Sequence, residues 1–166
     1  MSIGRTQPLA VISGLLIAVM TGTVAAQDRE TDKAAISRVI SDSIRWALNK
    51  DRALQESTMA HDEDLFVVWT GPQPAVHGWS RYVKLFDTWM DPRFKATVTE
   101  IRDLQVHLSR SGDVAWYSAT LDDLGEWDGK PVGDRDIRWT GVLEKRGGKW
   151  VIVQMHGSVP HSGTPR

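Results

Sequence analysis

The second half of the chain contains four long stretches in which apolar and polar residues alternate, and this pattern constrains the fold more than any other feature. The stretches cover about residues 94–109, 113–126, 134–146 and 149–158. The last two turns between them contain Asp128-Gly129 and Gly147-Gly148, which are the strongest short-range signals for β-hairpins. Consecutive hairpins predict an antiparallel sheet, and helices from elsewhere in the chain can cover only one of its faces.

Three helices are predicted before these strands. Apolar residues recur at helical spacing over 31–49, Asp51 is a suitable N-cap for a second helix of about 51–59, and a third helix follows Gly78. A buried strand over 65–69 separates the second helix from the third. The predicted fold class is therefore α+β: a curved antiparallel sheet that wraps around three N-terminal helices to form a cone.

The first 26 residues have the three-part layout of a secretory signal peptide. Arg5 lies in a short polar start, residues 9–20 are almost wholly apolar, and Val24-Ala25-Ala26 supplies the small residues that a signal peptidase requires. The apolar stretch is shorter than the roughly 20 residues that span a bilayer. We predict a signal peptide over 1–26, one domain over 27–166 and a periplasmic or secreted location. An N-terminal membrane anchor and a disordered tail are the alternatives.

The composition excludes several function classes. The chain has no cysteine, so disulfides, thiolate nucleophiles and cysteine-based metal sites are excluded. The net charge is −1, and loss of Arg5 with the signal peptide makes it −2, which argues against binding to nucleic acid or to an anionic membrane surface. The sequence contains no metal-binding histidine pattern, phosphate-binding loop or dinucleotide fingerprint. We therefore expect neither a metal nor a cofactor.

The order of elements and the end of the chain together resemble a known superfamily. The last hairpin contains Arg138-x-Thr140-x-Val142, then Gly148-Lys149-Trp150 and, six residues further on, His156-x-Ser158. This pattern resembles the nuclear transport factor 2-like superfamily and, within it, the SnoaL-like group. The ending is also similar to the association domain of calcium/calmodulin-dependent protein kinase II. The resemblance implies a cystatin-like, ketosteroid isomerase-like cone with a pocket between sheet and helices. Members include ketosteroid isomerases, dehydratases, polyketide cyclases and hydrolases, so the fold does not settle the function.

Two departures from these relatives predict a more apolar pocket. In ketosteroid isomerases the catalytic aspartate ends the strand after the second helix, and Trp69 takes that position here. Their first helix also carries an oxyanion-donating tyrosine, whereas the inward residues here are Ile40 and Ile44. In the kinase association domain an arginine occupies the position of Gly141. Isomerase chemistry by that route is therefore not expected.

Several side chains are candidates for the pocket that the resemblance implies. The candidate ligand-binding residues are Trp69, His77, Tyr82, Arg138 and His156. The candidate catalytic residues are Asp122, Asp123 and His156, because a buried carboxylate or a histidine can transfer protons near neutral pH. Successive side chains of a strand alternate, so one of the two aspartates must point inward. The alternatives are a histidine bonded to a neighbouring strand, an arginine paired with an acidic residue across strands, and aspartates near the surface.

The sequence contains eight tryptophans. Trp69, Trp79, Trp116 and Trp139 are candidates for an aromatic cage around a flat or cationic ligand. Tryptophans in such numbers more often form the core and subunit contacts, which is the alternative interpretation.

We predict an exported pocket protein that binds a small apolar or aromatic molecule and forms a homodimer through the outer face of its sheet. The alternative is a cyclase, dehydratase or isomerase-type enzyme in which a carboxylate and His156 transfer protons. A third interpretation, an interaction module, is disfavoured because no partner domain or long linker is evident. Strand parity places His156 with Trp150, Ile152 and Gln154, and we expect this mixed face to line the cavity.

Overall fold

The computed structural model describes the backbone of residues 13–160 and the side chains of residues 27–160. The helices are α1 (Ser13–Asn49), α2 (Arg52–Thr58), α3 (Trp79–Tyr82) and α4 (Phe86–Trp89), with a 3-10 turn at Val83–Leu85. The strands are β1 (Phe66–Val68), β2 (Val76–His77), β3 (Phe94–Leu108), β4 (Val114–Trp127), β5 (Lys130–Arg146) and β6 (Lys149–Ser158). They form one curved sheet in the order β2-β1-β6-β5-β4-β3, which covers the helices and confirms the predicted α+β class.

The sheet is mixed, whereas the sequence predicted an antiparallel one. Strands β3 to β6 form the expected antiparallel meander. β1, however, runs parallel to β6, with Phe66 opposite Gln154 and Val68 opposite His156. The two-residue strand β2 then pairs antiparallel with β1. After α2 the chain enters the sheet beside β6, where Met59 forms an isolated parallel β-bridge with Ile152.

Extra residues interrupt the regular pairing of β3, β5 and β6. In β5, Arg135 and Asp136 together lie opposite Asp122. In β6, Val153 is the extra residue. Because side chains alternate along a strand, one inserted residue moves every side chain beyond it to the opposite face of the sheet. These bulges decide which side chains of β5 and β6 reach the interior.

Helix α1 supplies the helical side of the core. Ile36 and Ile40 are fully buried and Ile44 nearly so, which confirms the predicted apolar face. Asp32 fixes the helix to the last hairpin, because it accepts hydrogen bonds from Trp150 Nε1 at 2.9 Å and from Lys145 Nζ at 2.7 Å. Both bonds favour the charged carboxylate and outweigh its partial burial, so the pKa of Asp32 is lowered.

Helix α1 begins at Ser13, earlier than predicted. Residues 1–12, and all side chains up to residue 26, lie outside the described part, so the signal peptide over 1–26 stays a prediction. Among the residues that are described, no helix is long and apolar enough to cross a membrane.

The third predicted helix is divided into α3, the 3-10 turn and α4. It begins after Gly78, whose φ of +78° suits glycine. Tyr82 and Phe86 are almost completely buried in it. The Phe86 ring lies 5.4 Å from the ring of Trp46 in α1 and 5.6 Å from that of Trp89, both in edge contact. This aromatic cluster holds the divided segment against α1 and brings Tyr82 and Trp89 to the inside of the cone.

Candidate functional site

A cavity of about 390 Å³ lies between α1, the segment from α3 to α4 and the concave face of the sheet. Eighteen of the described residues line it. Seven of them are aliphatic, methionine or proline, and five are aromatic, namely Trp46, Trp69, Tyr82, Trp89 and Phe94. Two other hollows, of about 430 and 310 Å³, are lined by only seven and eight residues and are more open to solvent. The cavity inside the cone is therefore the candidate site.

Asp123 is the one ionic side chain among these eighteen residues. It lies on β4 directly opposite Thr99 of β3 and Asp134 of β5. No hydrogen bond from the described residues stabilises its charged form. Burial, and secondarily the negative charge of Asp134, raises the pKa of the Asp123 carboxyl to about 6. The group is therefore ionised at neutral pH but can take up a proton within the physiological range.

Asp122 has the opposite environment, although it is the preceding residue. It points to the outer face, where Arg102 Nη2 donates to it at 3.0 Å and Arg135 Nη1 at 2.7 Å. The backbone N–H of Asp136 donates at 2.9 Å. The Arg102 hydrogen bond, with help from the other two donors, holds the pKa of Asp122 well below its usual range. Such a carboxylate stays ionised and anchors the bulge in β5, so it has no proton to exchange.

A hydrogen-bonded pair, Tyr82 and Gln55, lies on the helical side of the cavity, where Ser43 and Thr88 are the other polar lining residues. Gln55 Nε2 donates to Tyr82 Oη at 2.5 Å. The Thr58 hydroxyl lies 3.0 Å from Gln55 Oε1, which favours this orientation of the amide. Burial raises the pKa of Tyr82, so its hydroxyl remains protonated. With its oxygen already accepting from Gln55, the Tyr82 hydroxyl can donate its own proton to a ligand.

The structure brings two of the five candidate ligand-binding residues to the cavity. Trp69 and Tyr82 line it. His77 is exposed on β2, with its ring 4.7 Å from Phe66. Arg138 is exposed on the outer face of β5 and donates to the carbonyl of Val159 at 3.1 Å. It does not face the cavity.

His156 also lies on the outer face, which corrects the placement expected from strand parity. Met155 lines the cavity, and a Cβ on Gly157 would stand 3.1 Å from the Trp69 ring, so both neighbours of His156 point inward. His156 therefore points outward, opposite the exposed Thr140. The reason is the extra residue Val153, which shifts the alternation of side chains by one position. Trp150 and Ile152, before it, point inward, whereas His156, beyond it, points outward.

Of the four tryptophans considered for an aromatic cage, only Trp69 lines the cavity. Trp139 is buried in the core, Trp116 is exposed on the outer face, and Trp79 stacks on His61 at 4.0 Å. Three cavity residues were not among the candidates from the sequence: Gln55, Trp46 and Trp89. Trp89 follows Tyr82 and Phe86 at helical spacing, which was a usable signal, whereas no local pattern marks Gln55.

Comparisons with known proteins agree with this architecture. The sequence profile of the SnoaL-like domain matches residues 36–162. A search of curated protein sequences finds no match.

Solved structures with the same fold show low sequence identity. A candidate dehydratase of the nuclear transport factor 2-like family from Streptomyces avermitilis is 18% identical, with a TM-score of 0.69 over 80% of this chain and 99% of that one. A type 2 hexachlorocyclohexane dehydrochlorinase is 19% identical, with a TM-score of 0.64 over 80% and 87% of the two chains. A candidate calcium/calmodulin-dependent kinase II association domain from Exiguobacterium sibiricum is 11% identical, with a TM-score of 0.62 over 78% and 95%.

The structural neighbours establish the nuclear transport factor 2-like fold, and the profile match extends over most of the sequence. The chain belongs to the SnoaL-like domain family.

Proposed function

We propose that this protein binds a small, largely apolar or aromatic molecule in the cavity inside the cone. The observation that carries the proposal is the wall of five aromatic side chains around an enclosed space of about 390 Å³. Binding sites for small molecules have volumes of about 300–1,000 Å³ and combine apolar walls with a few polar groups. This cavity is at the small end of that range, which suits a ligand of one or two rings.

The cavity wall is rigid enough to select a flat ligand. The Trp89 ring lies 5.7 Å from the Trp46 ring and 5.8 Å from the Tyr82 ring, both in edge contact. Tyr82 is in turn fixed by its hydrogen bond to Gln55. A ligand therefore meets a surface that needs little ordering on binding, which lowers the entropic cost of association.

Calorimetric titration with indole and 2-naphthol, two neutral aromatic probes, tests the proposal. We expect Trp69→Ala to weaken binding of both probes at least about fivefold, because it removes one wall of the cavity. Trp116→Ala removes the same side chain from the outer face and should leave affinity unchanged. Equal losses in both variants, or no binding to the unchanged protein, would contradict a ligand site in the cone.

A second candidate function is proton transfer to and from a bound substrate by Asp123. The specific observation is a carboxylate with a pKa of about 6 that faces an apolar cavity and accepts no hydrogen bond from the described residues. Such a group is a stronger base than an ordinary carboxylate and is still mostly ionised at pH 7. Two structural neighbours, the candidate dehydratase and the dehydrochlorinase, are named for elimination reactions. His156 lies on the opposite face, so this candidate reaction uses Asp123 without it.

Base-catalysed ring opening of 5-nitrobenzisoxazole tests this second function. The base removes the proton on carbon 3 while the N–O bond breaks, and the product is a cyanophenolate. We expect the rate to rise with pH through about 6, as Asp123 ionises, and to fall to the background rate in Asp123→Asn. Asp103→Asn, which removes an exposed carboxylate from β3, is the control. If Asp123→Asn keeps the rate, Asp123 is not the base.

We further propose that the protein is exported after cleavage near Ala26 and acts in the periplasm or outside the cell as a homodimer. The support for export is the layout of the first 26 residues. The support for a dimer is a row of side chains across the outer face of the sheet, formed by Phe66, Gln154, Val142, Trp116 and His107. Trp116 in this row is 47% exposed, with its ring 5.8 Å from that of His107. Only Trp116 and His107 of this row are exposed, and an exposed tryptophan beside partly exposed apolar side chains on a sheet face is typical of a surface that a second subunit covers.

A further inference from the structure

We propose that the ligand carries a protonated amine, which Asp123 binds while the aromatic wall of the cavity surrounds the rest of the molecule. The inference rests on the proposed binding function and adds the charge of the ligand to it.

The charges around the cavity are all of one sign. Among the eighteen lining residues there is no lysine, arginine or histidine, and the one ionic group is Asp123. Asp134, directly across from Asp123 on β5, adds a second negative charge. The nearby cations Arg102 and Arg135 are engaged by Asp122 on the other face of the sheet. A ligand with a carboxylate or phosphate would therefore meet repulsion with no compensating cation.

The Asp123 carboxylate also lacks a partner in the part of the chain that the structure describes. A buried charge is normally paired, because burial without a partner costs several kcal/mol. Asp122, a carboxylate with a structural role, accepts hydrogen bonds from three donors within 3.0 Å. Asp123, whose side chain is half-buried, has none, although it faces a cavity large enough for a ligand. An ammonium group would supply both the missing charge and strong hydrogen bonds.

The aromatic wall suits the same ligand class. The faces of tryptophan and tyrosine rings attract cations within about 6 Å, and the attraction grows when water is excluded. Trp46, Trp69, Trp89 and Tyr82 all line the cavity. A neutral aromatic ligand would gain only the apolar contacts, whereas an aromatic amine would gain those contacts, the carboxylate and the cation–π attraction. The geometry therefore favours the amine over its neutral analogue.

Binding of an amine should depend on pH through Asp123. Aliphatic amines stay protonated up to about pH 10, so the ligand keeps its charge across the useful range. The pKa of Asp123 is about 6 in the free protein; the ionisable groups around it are Asp134, opposite it on β5, and Tyr82, which lines the same cavity. Affinity for an amine should thus be constant from about pH 7 to 9 and fall below about pH 6, where the carboxylate gains a proton.

Three matched probes test the inference on the unchanged protein: tryptamine, tryptophol and indole-3-propionate. They share the indole ring and carry a positive, neutral or negative side chain of similar length. By calorimetry at pH 7.5 we expect tryptamine to bind at least about tenfold more tightly than tryptophol, and indole-3-propionate more weakly than either. At pH 5 the difference between amine and alcohol should shrink. Asp123→Asn should reduce it to less than about threefold, while Asp103→Asn should keep it.

The outcomes separate this inference from the proposed function. If tryptophol binds as tightly as tryptamine, the amine inference is wrong and the aromatic pocket stands. If tryptamine fails to bind while indole and 2-naphthol do bind, the same conclusion holds. If none of the probes binds, both proposals fail. Should Asp123→Asn not fold, the difference between the amine and the alcohol on the unchanged protein, at the two pH values, decides the question.

Discussion

Asp122 and Asp123 are consecutive residues of β4, yet one is a structural anchor and the other faces the cavity without a partner. Asp122 accepts three hydrogen bonds on the outer face of the sheet. Asp123 lies opposite Asp134 on the inner face. Alternation along β4 separates the two carboxylates. The bulge at Arg135 and Asp136 then brings Asp134 to the inner face, where its charge adds to the effect of burial on Asp123.

Replacing Asp123 should stabilise the folded protein at neutral pH. Its pKa is raised from 3.8 to about 6, so the folded state binds more protons than the unfolded chain between these values. The group therefore favours folding at low pH, and this advantage is lost as the pH rises through about 6. A shift of this size corresponds to roughly 3 kcal/mol at neutral pH. We expect Asp123→Asn to raise the free energy of unfolding at pH 7.5 by about 1–3 kcal/mol.

Urea denaturation at two pH values measures this effect. At pH 4.5 Asp123 is protonated in the folded protein, so the gain from Asp123→Asn should be less than about 1 kcal/mol. Asp103→Asn should change neither value appreciably, because that carboxylate is exposed. An equal gain at both pH values would show that charge burial is not its cause.

Replacing Asp134 should lower the pKa of Asp123. Asp134 contributes the second cause of the upward shift, after burial. In Asp134→Asn the pKa of Asp123 should fall below 6 yet stay above its ordinary value, because burial remains. Titration of the Asp123 carboxyl carbon by NMR measures this directly. A pKa that does not move would mean that the two carboxylates are farther apart in solution than strand pairing places them.

The sequence was most informative where structure is local. The helical face at Ile36, Ile40 and Ile44 and the four strands of the meander follow from periodicity and turn residues. Parity also showed that one of Asp122 and Asp123 must point inward, but not which one. That choice depends on the curvature of the whole sheet and on which of its faces the helices cover.

The errors of placement arose where pairing is long-range or irregular. His156 was expected inside because regular alternation groups it with Trp150, Ile152 and Gln154, and no sequence pattern revealed the extra residue at Val153. The parallel pairing of β1 with β6 joins segments about 90 residues apart, and a three-residue strand is too short to show its partner in sequence. Gln55 reaches the cavity only because α2 packs on α1 and β6, which brings its amide to Tyr82.

Adding a methyl group at Gly141 should destabilise the sheet. A Cβ there would lie 2.5 Å from Cε1 of Tyr117 and 2.6 Å from the carbonyl oxygen of Gln154. The carbonyl belongs to the paired strand and cannot move without disturbing the ladder. We expect Gly141→Ala to lower the free energy of unfolding by about 1–3 kcal/mol. A thermal melt indistinguishable from that of the unchanged protein would show that the strands can separate at this point without cost.

The proposed export predicts a shortened N-terminus. Protein recovered from the periplasm or the medium should begin at or within a few residues of Gln27, because Val24-Ala25-Ala26 supplies the cleavage site. Changing both Val24 and Ala26 to Arg should block cleavage and leave a longer precursor. N-terminal sequencing and intact mass measure both results. Recovery of cytoplasmic protein that retains Met1 would contradict export.

The proposed homodimer predicts that one charge on the outer face of the sheet separates the subunits. Trp116 is 47% exposed and lies in the row with Val142 and His107. In a twofold-symmetric contact every substitution occurs twice, so Trp116→Lys would remove two aromatic contacts and bring two positive charges into one interface. Light scattering at micromolar concentration should show a dimer for the unchanged protein and a monomer for Trp116→Lys. Val132→Lys, at another exposed apolar residue outside this row, should remain dimeric. A monomer in the unchanged protein would refute the dimer, and a Trp116→Lys dimer would place the contact elsewhere.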